Sequence, residues 1–287
     1  MTKKPEEERA KTLAEALPYL HKYHGSSVTI KCGGSVMLDA DLQAGVLRDV
    51  ILLSYVGIST ILVHGGGPEI SEMMRRLGRE PQVVEGLRVT DAETMRIAQM
   101  VLVGRINQDI VSAINQQGGK AVGLSGKDAG LLVASKKEGP VDLGLVGEVE
   151  EVRPEILHTL VGAGYIPVVA PIAVGRQGET FNVNADHAAG RLAGAVKAAK
   201  LIVLSDVPGV LRDRHDESTL ISALTAAEAR ALLDAGVIEQ GMIPKVQGCL
   251  DAVRSGVERC HLIDGRVPHA ILIELLTDAG IGTMISA

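Results

Sequence analysis

The chain reads as an α/β protein with a mainly parallel sheet covered on both faces. Three observations predict this. Strand-like runs alternate with helix-like ones along all 287 residues, the order of βαβ units. The strand runs are close to continuous in Val, Ile and Leu, as strands buried on both faces require. The composition is also aliphatic: 46% hydrophobic with 33 Gly, yet 2% aromatic, with no Trp and one Phe. A chain of this length houses one large domain or two lobes sharing a sheet.

The elements follow in order. Residues 5–23 carry Ala10, Leu13, Leu17 and Leu20 at helical spacing, and Pro18 inside them predicts a kink. Such a helix packs on its own subunit or docks onto another. "SVTIK" (27–31) is a strand leading to the helical "LQAGVLRDVILLSYVG" (42–57). "TILVHGGG" (60–67) is a second strand with its turn, leading to the helix "PEISEMMRRLG" (68–78). A periodic segment from Ala92 to Asn115 precedes the strand "AVGLSG" (121–126). Residues 156–175 contain no Asp, Glu, Lys or Arg and have the length of a membrane span. Gly162, Gly164, Pro167 and Pro171 divide that stretch into helix end, turn and buried strand, so no span is expected. "KLIVLSDVPGVL" (200–211) and "RCHLIDG" (259–265) supply later strands, and a lobe boundary is expected within "GETFNVNADHAAG" (178–190).

The net charge of −6, without a long basic run, argues against nucleic acid or an anionic membrane as the main partner. Cys32, Cys249 and Cys260 form no C-x-x-C pair and leave one odd, which fits a reducing cytoplasm better than a disulfide framework. The start "MTKKPEEERAK" lacks the apolar core of a signal peptide.

In parallel sheets ligands sit beyond the carboxyl ends of the strands, and the turns after Lys31, Val63 and Leu204 lie at such ends. In "VTIKCGGSVM" the lysine precedes the glycines, which matches neither common phosphate template. In "ILVHGGGPEI" three glycines and Pro68 open a helix, leaving N–H groups to bind an anion. A tight turn alone would need only one such glycine. "GLRVTD" places Arg88 before a helix capped by Thr90 or Asp91, where a guanidinium can hold a carboxylate through two bonds. Asn182, Asn184 and Asp186 precede an alanine-rich helix. One of them serves as its N-cap, and the surplus can orient a substrate or an ammonium group. Ser205, Asp206 and a Pro-Gly turn suit a nucleotide rim, and Lys245 lies one turn into a helix after Pro244. His64 beside the glycine turn reads as structural.

Two lysines, an arginine, glycine turns and amides, with no suggestive Ser-His-Asp spacing, metal cluster or general base, suit phosphoryl transfer, which demands positioning and charge neutralisation. A carboxylate acceptor, with a pKa near ~4.3, is already ionised at pH 7 and needs no base.

Taken together, "IKCGGS", "VHGGGPEI", "GLRVTD", "NVNAD" with "HAAG", "LSDVPGVL" and "GMIPK" resemble, in order and spacing, the acetylglutamate kinase family of the amino-acid kinase superfamily. The resemblance covers residues 5–287. It implies an αβα sandwich whose mostly parallel central sheet is shared by two lobes, plus a kinked N-terminal helix. The implied division is 1–24 for oligomerisation, 25–180 for amino-acid binding and dimerisation, and 181–287 for ATP and an effector. The implied reaction phosphorylates the γ-carboxylate of N-acetyl-L-glutamate with Mg2+ and ATP, in arginine biosynthesis. By the same likeness Lys31 and Lys245 stabilise the transferring phosphoryl group and Asp186 holds them. Gly66, Gly67, Arg88 and Asn182 bind the acceptor. Gly33 and Gly34 lie against the ATP phosphates, and Asp206, Gly209 and Leu211 belong to the nucleotide pocket.

The first helix and the tail from Cys260 resemble the family's arginine-sensitive branch. That implies inhibition by L-arginine at Tyr19, Lys197, Glu274 and Gly282, and a hexamer built as a trimer of dimers. Cys32 stands where the family often has an aromatic residue, and strand alternation points it away from the phosphates. Two alternatives are a related kinase acting on an amino-adipate derivative of lysine biosynthesis and a non-catalytic amino-acid sensor. "GLRVTD" and "NVNAD" favour the glutamate kinase over the first, and Lys31, Asp186 and Lys245 together argue against the second.

Overall fold

A computed structural model describes residues 5–33, 35–84 and 86–287. Its strands are β1 Ser27–Cys32, β2 Ser59–His64, β3 Val83–Val84, β4 Leu87–Arg88, β5 Ala121–Ser125, β6 Leu132–Lys136, β7 Val146–Val152, β8 Ile166–Ala170, β9 Ile172–Val174, β10 Thr180–Val183, β11 Lys200–Ser205, β12 Ala223–Thr225, β13 Arg259–Asp264 and β14 Gly282–Ser286. Its α-helices are α1 Pro5–Glu15, α2 Leu17–Tyr23, α3 Ser35–Leu38, α4 Ala40–Tyr55, α5 Gly67–Arg76, α6 Ala92–Gln99, α7 Gln108–Gln116, α8 Glu155–Gly162, α9 Ala185–Ala195, α10 Ala226–Asp234, α11 Ile243–Arg254 and α12 Ala270–Leu276.

Eight strands form one sheet in the order β12-β14-β13-β11-β1-β2-β8-β5. All neighbours are parallel except β13 and β14. Because side chains alternate across a strand, the sheet feeds two cores. Val28, Ile30 and Cys32 join α4, α6, α7 and α12 in one apolar layer. On the other face, Ile61, Val63, Leu201 and Val203 join α8, α9 and α11. This is the expected αβα sandwich, and β1 lies at its centre with Lys31 in register between Val63 and Val203.

Two features depart from the simple βαβ reading. Strands β6, β7, β9 and β10 close into a small four-stranded barrel beside the sheet. The periodic stretch before β5 is not one regular helix either, since Met100–Asn107 between α6 and α7 is π-helical. The charge-free stretch becomes the end of α8, then β8 and β9. Among the described residues no helix is long and apolar enough to cross a membrane.

At the expected N-terminal kink the helix is interrupted at one residue, Ala16, whose backbone stays helical (φ −75°, ψ −17°). Pro18 falls in the first turn of α2, where its missing N–H costs nothing, and α1 ends one residue before the Ala16 cap. Leu13 and Leu17 remain 75% and 65% exposed.

Candidate active site

The site is assembled where β1, β2, β10, α9 and α11 converge. Asn184 caps α9, its Oδ1 accepting from the N–H groups of Asp186 (2.9 Å) and His187 (3.1 Å). Of the three polar residues, this one is therefore the cap. The cap starts the helix immediately after β10 and sets Asp186 over the carboxyl end of β1. There Lys31 Nζ lies 2.8 Å from Asp186 Oδ1 and Lys245 Nζ lies 3.4 Å from Oδ2. Lys31 and Asp186 are both buried.

Burial alone would raise the Asp186 carboxyl, but the Lys31 and Lys245 ammonium groups outweigh it and hold it below the usual carboxylate range. Two cations therefore share one anion, leaving an excess positive charge with little solvent to screen it. That charge is suited to the equatorial oxygens of a phosphoryl group.

Glycine lets α9 and α11 approach closely enough for this. A Cβ on Gly248 would fall 2.5 Å from the Asp186 carbonyl oxygen, and one on Gly190 would fall 2.3 Å from that of Gly248. The two glycine turns also lie against each other. Gly65 N–H donates to the Cys32 carbonyl at 2.9 Å, and a Cβ on Gly33 would crowd Lys31 Nζ at 2.9 Å.

These turns border a cavity of about 450 Å³ shared with Lys31, Arg88, Asn182 and Asp186. Arg88 is held by Nη2 donating to the Gly67 carbonyl (2.7 Å) and to Ser71 Oγ (2.6 Å). Burial lowers its pKa from the ordinary arginine value, and nearby Arg75 adds to this. Thr90 couples Arg88 to Asn182: its Oγ1 donates to the Arg88 carbonyl (2.7 Å) and accepts from Asn182 Nδ2 (3.3 Å). Asp91, not Thr90, caps α6.

The structure thus brings Lys31, Gly33, Gly66, Gly67, Arg88, Asn182 and Asp186 to one cavity, with Lys245 joined through Asp186. Gly34 lies outside the described residues. Asp206, Gly209 and Leu211 follow β11 but do not line this cavity. Gly209 is itself packed on Thr283, whose Oγ1 would meet a Cβ there at 2.6 Å. Cys32 points into the opposite layer, as alternation predicts. Its Sγ donates to Met37 Sδ at 3.1 Å, and burial pushes the thiol up to about 12. Among the described residues no three His, Cys, Asp or Glu side chains gather as a metal site.

Ser71 and Gly248 support the site without carrying a motif of their own, while Thr90, read in "GLRVTD" as a cap, instead links Arg88 to Asn182. The only signals for the first two are spacings, since Ser71 is four residues past Gly67 on α5 and Gly248 three past Lys245 on α11.

A second cavity, about 290 Å³, lies between α2, β13, α12 and β14, and Tyr19, Glu274 and Gly282 line it. Lys197 does not. It closes the α9 turn with φ +51°, and Lys200 at the start of β11 faces the cavity instead. Glu274 Oε1 accepts from His261 Nδ1 at 2.6 Å and lies 4.0 Å from Lys200 Nζ. Burial would raise its carboxyl, but His261 and Lys200 together with the Ile281 N–H bring it below the ordinary value.

The amino acid kinase family model matches residues 27–264. The chain is 55% identical over 288 residues to the acetylglutamate kinase of Pelotomaculum thermopropionicum, covering 97% of this chain and 98% of that one. It is 54% identical to the acetylglutamate kinase of Desulfitobacterium hafniense, covering 98% and 97%. Among solved structures it resembles the N-acetylglutamate synthase of Neisseria gonorrhoeae. The complex of that synthase with coenzyme A and N-acetyl-glutamate matches at TM-score 0.85 and 26% identity, over 97% of this chain and 63% of the synthase. Its complex with coenzyme A and L-arginine matches at TM-score 0.81 and 25% identity, over 96% and 65%. The chain therefore belongs to the amino acid kinase family, among the acetylglutamate kinases.

Proposed function

We propose that the enzyme transfers the γ-phosphoryl group of ATP to the γ-carboxylate of N-acetyl-L-glutamate, giving N-acetylglutamyl 5-phosphate in arginine biosynthesis. The carrying observation is the buried Lys31–Asp186 pair, with half-buried Lys245 on the second Asp186 oxygen, opening onto a cavity that also holds Arg88 and the Gly66–Gly67 turn. Lys31 and Lys245 neutralise charge as the phosphoryl group moves, Asp186 fixes them, and the Gly33 turn gives the phosphates close access to backbone. Arg88 and Asn182 hold the acceptor carboxylates. The acceptor arrives ionised, so no side chain needs to remove a proton. Mg2+ belongs to the nucleotide substrate in this reading, held largely by phosphate oxygens and water.

Regulation by L-arginine is part of the same proposal. The second cavity offers a buried carboxylate, Glu274, as a guanidinium partner, with Tyr19 and Gly282 beside it. Lys200 replaces Lys197 as the lysine of that site. The division into 1–24 for oligomerisation, 25–180 for amino-acid binding and dimerisation, and 181–287 for ATP and effector belongs to this reading, in which the homo-oligomer is a hexamer of three dimers in the cytoplasm. The three cysteines are free and buried, in keeping with a reducing compartment.

The deciding experiment traps acyl phosphate with hydroxylamine, comparing N-acetylglutamate, glutamate, aspartate and N-acetyl-aminoadipate, with and without arginine. Strong turnover of N-acetylglutamate and its suppression by arginine are expected. Preference for the aminoadipate compound, or no turnover at all, would reject the substrate assignment.

A further inference from the structure

We propose that His64 and Asn107 are positioning residues that lock the Gly65–Gly66 peptide and turn the Gly66 N–H toward the acceptor. The inference rests on the acceptor reading above and adds how its backbone donor is aimed.

Both side chains are buried, and their partners determine where the protons are. The Asn107 amide lies 2.9 Å from the Val168 carbonyl oxygen, 3.2 Å from His64 Nε2 and, at the longest, 3.4 Å from the Leu124 carbonyl. A carbonyl only accepts, so the atom facing Val168 is the NH2 group. Its second hydrogen faces His64 Nε2, which must be bare to receive it. A neutral imidazole that accepts at Nε2 carries its proton on Nδ1. Nδ1 lies 2.9 Å from the Gly65 carbonyl, which again only accepts. The opposite tautomer would set N–H against N–H at one end and two lone pairs against each other at the other.

The Gly65 carbonyl is thus drawn inward onto His64, while the Gly65 N–H is tied to the Cys32 carbonyl at 2.9 Å. In a trans peptide the C=O and the following N–H point in opposite directions, so the Gly66 N–H faces the cavity that Gly65, Gly66 and Gly67 line. The π-helical segment Met100–Asn107 serves twice. Its last residue is Asn107, and its Leu102 and Ile106 would meet a Cβ on Gly66 at 2.6 and 2.4 Å. Burial keeps the imidazole neutral, with a pKa lowered to about 4, so this donor pattern holds at working pH.

Two measurements on the full chain test the proposal. Long-range 15N–1H correlation on the wild type at pH 7 should show His64 protonated on Nδ1; a proton on Nε2 overturns the proposal without recourse to any variant. The second compares H64N with H64Q. The asparagine amide reaches the position of Nδ1 and can still donate to Gly65, whereas the glutamine amide, closer to histidine in volume, reaches toward Nε2. Packing alone therefore favours H64Q, and positioning favours H64N. For H64Q we expect kcat/KM for N-acetylglutamate to fall roughly 10–100-fold, with H64N retaining more and KM for ATP within about twofold in both. H64Q equal to or better than H64N overturns the proposal. If the wild type turns over a different acceptor, the substrate assignment fails by itself and the same ranking is read with that acceptor. If neither variant folds, the tautomer decides.

Discussion

Lys31 sits where solvent cannot dilute its charge. It is buried against Asp186 with Lys245 on the other carboxylate oxygen, so in the proposed reaction its positive charge is preorganised for the phosphoryl group. Lys31→Ala should lower kcat by about 10²–10³-fold while leaving KM for N-acetylglutamate within a fewfold. Steady-state kinetics check this, and a near-normal kcat would remove Lys31 from its role. His64 carries the pH prediction. Its folded pKa of about 4 lies below the ordinary 6.5, so between those values the unfolded chain binds the extra proton. Its contribution to stability is complete above 6.5 and is lost as the pH falls toward 4, at up to about 1.4 kcal/mol per pH unit. Urea unfolding across that window should give a shallower slope for H64Q than for the wild type; an unchanged slope would contradict the buried neutral imidazole. Lys31, Asp186, Lys245, Arg88 and Asn182 are legible in the sequence because each sits in a motif beside a strand end or helix start. Lys200 is not, because the left-handed turn at Lys197 decides which lysine meets the second cavity. Nor is the His64–Asn107 pair, whose members are 43 residues apart.

At the scale of elements, the α9–α11 crossing controls the geometry of the site. Glycine inside a helix ordinarily costs about 1 kcal/mol relative to alanine, so Gly248→Ala on a free helix would stabilise. Here the added methyl would meet the first turn of α9 at the Asp186 carbonyl, and the helices must separate. We expect G248A to lose roughly 1–3 kcal/mol of stability and to lower kcat roughly 10–100-fold by moving Lys245 from Asp186. Thermal unfolding and kcat measured on the same preparation check it, and a stabilised, fully active G248A would show that the crossing has slack. The central parallel strands are legible because their apolar runs are continuous. The barrel strands are less so: β7, "VGEVEEV", alternates buried and charged positions and gains its meaning only from partners distant in sequence. The π-helical turn leaves no mark on the apolar period between Ala92 and Asn115.

On the scale of the whole molecule, one sheet runs through both parts of the chain, since β1 hydrogen-bonds to β2 on one side and β11 on the other. The alternation of strands and helices foretells that layering. What lies beyond a single subunit is not written in the alternation, because an exposed apolar helix face looks alike whether it folds back or binds elsewhere. The structure narrows this for the N-terminus. Leu13 and Leu17 stay 75% and 65% exposed, while Tyr19, Lys22 and Tyr23 of α2 form a wall of the second cavity. Among the described residues none of α1 or α2 lines the candidate active-site cavity. Removing residues 1–24 should therefore separate three properties at once. If the proposed hexamer forms through this leucine face, light scattering should show hexamers for the intact chain and dimers for the truncated one. Inhibition by arginine should disappear with the cavity wall, and phosphorylation of N-acetylglutamate without arginine should persist within about twofold, since the buried lysine–aspartate array is left intact. A truncated hexamer would reject the role of these helices in assembly, and undiminished arginine inhibition would move the effector away from this cavity.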